Sequence, residues 1–173
     1  MKSILIATGA VAAMLSAAPA FAQGPIFNDV SYYGTLGYSN LGGDGNAGPD
    51  IGEITGRLGA RYGKYLGIEG EVSTGLNNDK DVHVQNQYAG YVVGYLPLTP
   101  KADLFARAGG GATVFSSATP AAAYHGQDNS WNYGGGAQYF LTNKDGVRVD
   151  YTRSNYAQGP DANTWGVSYV RRF

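Results

Sequence analysis

164-TWGVSYVRRF-173 ends the chain. Trp165, Val167, Tyr169 and Phe173 fall on one side of it, and Gly166, Ser168, Val170 and Arg172 on the other. That is the two-residue period of a β-strand. Most domains fray at the C-terminus. A strand patterned through its last residue predicts a sheet that closes on itself, so that the final strand has a neighbour on either side.

The rest of the sequence fits one domain of 173 residues, with 27 Gly, 14 Tyr, 14% charged residues and a net charge of -1. Abundant aromatics exclude a disordered chain. The balanced charge excludes recognition of nucleic acid or an anionic membrane through bulk charge. Without Cys the fold holds together by means other than disulfides. Residues 1–22 have the pattern of an export signal: Lys2, an apolar run over 4–15, then Ala20 and Ala22 in A-x-A spacing before Gln23. The run is too short to cross a bilayer as a helix. Cleavage is expected after Ala22, leaving a barrel domain over 23–173.

Past Gln23 no segment repeats apolar residues at helical spacing. Strand alternation recurs instead over 30–39, 52–62, 66–76, 85–95, 103–115, 130–140, 146–156 and 163–173. The connections at 63–65 (GKY), 96–100 (LPLTP) and 141–146 (LTNKDG) are short and rich in turn residues. Those at 40–50, 77–84, 116–129 and 157–163 are mostly longer and more polar. Short turns and both termini at one end, with long loops at the other, predict an all-β, eight-stranded antiparallel up-and-down transmembrane barrel. The strands are close to the roughly 9–11 residues that a membrane crossing needs.

Charge tells the faces apart. One face carries Tyr32, Leu36, Tyr38, Ile54, Leu58, Tyr62, Leu66, Ile68, Val72, Tyr91, Val93, Tyr95, Leu104, Trp131, Tyr133, Tyr139, Val147, Val149, Trp165 and Val167. The other carries Glu53, Arg57, Arg61, Glu69, Glu71, Asp103, Arg107, Arg148, Asp150 and Arg172. A soluble barrel of the lipocalin type has the same period. Aromatic placement favours lipid outside, because a small closed lumen is expected to leave little room for rings. The rings also gather at strand ends as two interfacial girdles: Tyr62, Tyr95 and Tyr139 by the short turns, Tyr38, Trp131 and Trp165 by the long loops. Inside, five Arg face five acids, a balance that predicts a lumen filled by paired charges.

On these grounds the sequence resembles the small eight-stranded outer-membrane barrels of Gram-negative bacteria. That group includes the OmpA transmembrane domain, OmpX and the opacity-type surface proteins. The C-terminal stretch looks like the signal such proteins present to the barrel assembly machinery, with Trp165, Val167, Tyr169 and a terminal Phe173. Arg171 departs from that pattern, since an apolar residue is usual on its face. The resemblance implies location in the outer membrane, contact with its lipids and lipopolysaccharide, and periplasmic chaperones during assembly. It also implies a structural role in the envelope, with loops open to an extracellular ligand. No peptidoglycan-binding domain is expected after Phe173. The alternatives are a narrow, weakly conducting porin-like channel and a lipid A-modifying enzyme.

Neither catalysis nor a bound metal or cofactor is expected. His125, Asp128 and Ser130 stand close in sequence, but a triad is defined by geometry. Asp79, Asp81 and His83, and likewise Asp44, Asn46 and Asp50, read as solvated hairpin loops.

Overall fold

The computed structural model describes residues 30–43, 50–76, 82–117, 126–157 and 161–173. The expected export segment 1–22 lies outside them. Eight strands follow one another: β1 Val30–Gly43, β2 Asp50–Tyr62, β3 Leu66–Gly75, β4 Val82–Thr99, β5 Ala102–Ser117, β6 Gly126–Phe140, β7 Asp145–Tyr156 and β8 Ala162–Arg172. Each pairs antiparallel with the next, and β8 returns to β1, closing the barrel. The closing ladder runs from Tyr33 opposite Arg172 to Gly43 opposite Ala162. Beyond it the Phe173 amide donates to the Tyr32 carbonyl at 3.0 Å. The last strand is thus ordered because it is a wall of a ring with no free edge.

The three short turns and both barrel termini share one end. Gly63 opens the first turn at φ 59°, a left-handed conformation open to a residue without Cβ. In the last turn the Thr142 hydroxyl accepts from the amides of Lys144 (3.2 Å) and Asp145 (2.8 Å). The turn read over 96–100 is shorter than expected: β4 continues to Thr99, and the ladder shifts register between Pro97 and Thr99. Pro97 has no amide proton to give the ladder, so the irregularity falls there. At the opposite end β1, β2, β4, β5 and β6 reach past the alternating stretches, because backbone pairing continues where side-chain alternation stops.

The faces are as expected on seven strands and reversed on β4. Val92, Leu96 and Leu98 face out, whereas Tyr91, Val93 and Tyr95 are 5%, 0% and 5% exposed. These three therefore do not belong to the lipid face, nor Tyr95 to a girdle. They join Tyr33, Phe105, Phe140 and Val170 in one cluster inside the barrel. The lumen has room for rings because inward glycines make it. A Cβ on Gly59 would lie 2.1 Å from the Tyr33 ring, and one on Gly67 3.1 Å from the Tyr95 ring.

Candidate functional site: the charged lumen

Nine of the ten inward charges form ion pairs, in two groups. β3 and β7 stand four strands apart, on opposite walls of the eight-membered ring. Between them Arg148 on β7 reaches Glu69 on β3 at 2.7 Å, while Arg57 on β2 binds Glu71 at 2.5 Å and Asp150 on β7 at 3.0 Å. Arg107 on β5 bridges Glu69 at 2.9 Å, Glu71 at 2.9 Å and Asp150 at 3.0 Å. Three Arg and three carboxylates thus lock opposite walls together. Nearer the short turns, Asp103 takes Arg61 at 3.0 Å and Arg172 at 3.1 Å, with Gln138 donating at 2.8 Å. Glu53 is the exception: it is 1% exposed, and neither of its carboxylate oxygens has a hydrogen-bond partner.

Rings complete the filling. Arg61 lies over Tyr95 at 4.2 Å, Arg107 over Tyr91 at 4.5 Å, Arg148 over Phe105 at 3.9 Å and Arg172 over Phe140 at 3.4 Å. The Tyr95 hydroxyl donates to that of Tyr33 at 2.7 Å, which donates to Glu69 at 2.8 Å. Four arginines are therefore held by carboxylates at their edges and by π-faces on their flat sides. Ions this deeply buried keep their charge only when paired, and removing one partner strands the other. These aromatics escaped the sequence reading. The pattern D-L-F-A-R over 103–107 did put Phe105 in phase with Asp103 and Arg107, and the assumption of a narrow lumen masked it.

Outside, Tyr38, Tyr62, Trp131, Tyr139 and Trp165 are all exposed, as girdle residues must be. Trp165, Val167 and Tyr169 also face out. Arg171 pairs with Asp145 at 3.0 Å. The same carboxylate accepts hydrogen bonds from the hydroxyls of Tyr169 and Thr142. Near the long loops an outward polar group, missed in the sequence, joins Arg153 to Asp161 at 2.9 Å, with Asn155 donating to Asp161 at 3.0 Å. Asp44, Asn46, Asp79, Asp81 and His125 lie outside the described residues, as do the side chains of Asp50, His83 and Asp128.

The family model described as "Outer membrane protein beta-barrel domain" matches residues 8–173. No curated protein matches the sequence significantly. Among solved structures the chain is similar to the N-terminal beta-barrel domain of Pseudomonas aeruginosa OprF, with TM-score 0.67 and 13% identity over 84% of this chain and 98% of that one. It is similar to the outer membrane protein OprG of the same organism, with TM-score 0.61 and 9% identity over 83% and 95%. It is similar too to Ail, the attachment invasion locus protein of Yersinia pestis, in complex with the heparin analogue sucrose octasulfate, with TM-score 0.59 and 16% identity over 84% and 99%. At these identities the likeness is one of fold.

Proposed function

Since the chain belongs to the outer-membrane protein β-barrel domain family, we propose that it is a sealed structural barrel that strengthens the envelope and presents four loops at the cell surface. The observation that supports this reading is the set of ion pairs joining β7 to β3 across the lumen, with Arg148 on Glu69 at 2.7 Å. A water path through that level would have to part several charge-assisted bonds at once. In this reading residues 1–22 are removed on export, and Trp165, Val167, Tyr169 and Phe173 are read by the assembly machinery. The girdle rings then meet lipid and lipopolysaccharide, and the protein has no catalytic role. Single-channel recording in a planar bilayer is expected to give a silent membrane, with folding verified by gel mobility. Frequent stable openings would make the lumen a conducting pore and overturn the proposal.

The loops set the class of surface ligand. Across 40–50, 77–84, 116–129 and 157–163 there are six Asp (44, 50, 79, 81, 128, 161) against one Lys (80). That balance supports a neutral or cationic contact and works against a sulfated polyanion of the kind bound in the Ail complex. Purified protein is expected to pass through heparin resin at low salt, and salt-sensitive retention would reverse this assignment.

A further inference from the structure

A groove of about 410 Å³ runs along the lipid face over β1 to β4, lined by the outward residues Tyr32, Leu58, Ala60, Ile68, Gly70 and Gly90. Tyr33, Glu69 and Tyr91 turn their side chains into the lumen and lend it backbone only. Its size falls in the range of ligand pockets, about 300–1,000 Å³. Gly70 stands directly opposite Gly90 in the ladder. A glycine inside a strand weakens it and marks a place where something approaches closely. Within the barrel that something is the chain itself: a Cβ on Gly109, Gly134 or Gly136 would strike the backbone of the neighbouring strand. At Gly90 a Cβ would meet nothing within 4 Å, and at Gly70 only the Leu58 carbonyl oxygen at 4.0 Å. The two outward glycines therefore keep clear a space that no part of the described chain fills.

The groove lies toward the short turns. Tyr62 opposite Leu66 ends the β2–β3 ladder, Ala60 opposite Ile68 comes two residues further in, and Leu58 opposite Gly70 four. At about 3.4 Å per residue the groove reaches roughly 13 Å along the strands, within one leaflet of a hydrocarbon core about 30 Å thick. Lys64 stands exposed on the turn at its mouth. Asp103 and Asp145, the acids described at this end, are taken by Arg61, Arg172 and Arg171, and leave its ammonium group over. The loops at the far end carry six Asp against one Lys, so an anionic lipid is favoured at the turn end and opposed at the other. We propose that this groove and Lys64 form a site for a single anionic phospholipid of the leaflet opposite the loops, with an acyl chain over Gly70 and Gly90 and the headgroup phosphate at Lys64. The site rests on the lipid-facing assignment of these strands and not on whether the lumen conducts.

The test uses protein purified from membranes in a neutral detergent, with folding verified by gel mobility. Phosphatidylglycerol or phosphatidylcholine with the same acyl chains is added, and native mass spectrometry counts the lipids retained. One retained lipid is expected, with phosphatidylglycerol held about fivefold more tightly, the contribution of one lysine. Lys64→Gln should keep a lipid but bring the two headgroups within about twofold. Gly90→Phe should remove the retained lipid of either kind from a barrel that still folds, because its side chain meets nothing of the protein. Equal retention of the two lipids by the parent, or none, overturns the proposal, as does an unchanged preference in Lys64→Gln. Undiminished retention by Gly90→Phe overturns it as well, because the lipid would lie elsewhere. A dimeric parent that Gly90→Phe makes monomeric would assign the groove to a second copy of the chain instead.

Discussion

A methyl group at position 59 would lie 2.1 Å from Tyr33 Cζ. The ring cannot swing away freely, because its hydroxyl is held between Tyr95 and Glu69. Gly59→Ala is therefore expected to destabilise the barrel by about 1–3 kcal/mol through overpacking. In a Tyr33→Leu background the same change should cost much less, a coupling that a double-mutant cycle of urea unfolding in vesicles would read. Additive effects would show that the glycine is kept for some other reason. At this scale the sequence was legible where chemistry is unambiguous: an Arg or Glu in the middle of a strand of a small barrel has one affordable direction, inward, and only near strand ends, as at Arg153 and Arg171, does a charge face out. An aromatic ring has two, and only the depth of the groove beside a glycine decides between them.

β4 shows what an element loses when it carries no charge. Tyr88, Tyr91 and Tyr95, with Val92 beside Val93, offer apolar residues in both phases, so its own pattern does not fix its faces. Its neighbours do: the ladder sets Tyr91 opposite Glu69 on β3 and Val93 opposite Arg107 on β5, both of which face in. A slip of one residue would turn Tyr91 and Tyr95 out and remove the π-faces under Arg107 and Arg61. Paired cysteine variants read this phase directly. A fluorophore on Val92→Cys is expected to be quenched by a lipid-borne quencher, while Val93→Cys stays shielded; the opposite ranking would invert the strand. The extents of the other strands were legible to within a few residues. Errors gathered at the loop-side ends, where pairing outlasts alternation, and at Pro97, where strand and turn share one proline.

For the whole molecule, stiffness comes from two sources acting at right angles. Backbone ladders run around the ring, and ion pairs run across it, so the wall cannot flatten without parting both. The plug was legible as a balance of five against five, yet the odd position of Glu53 was not, since pairing depends on three-dimensional reach rather than on count. The outer surface has a different consequence. The sequence contains two tryptophans, Trp131 and Trp165, and both stand on the lipid face, 61% and 66% exposed, toward the loop ends of their strands. No other indole competes with them, so the protein's intrinsic fluorescence is a depth gauge for its own insertion. Lipids brominated near the headgroup are expected to quench the emission strongly, and lipids brominated at the chain terminus weakly. The time course of that quenching would follow the moment at which the loop ends reach the far leaflet.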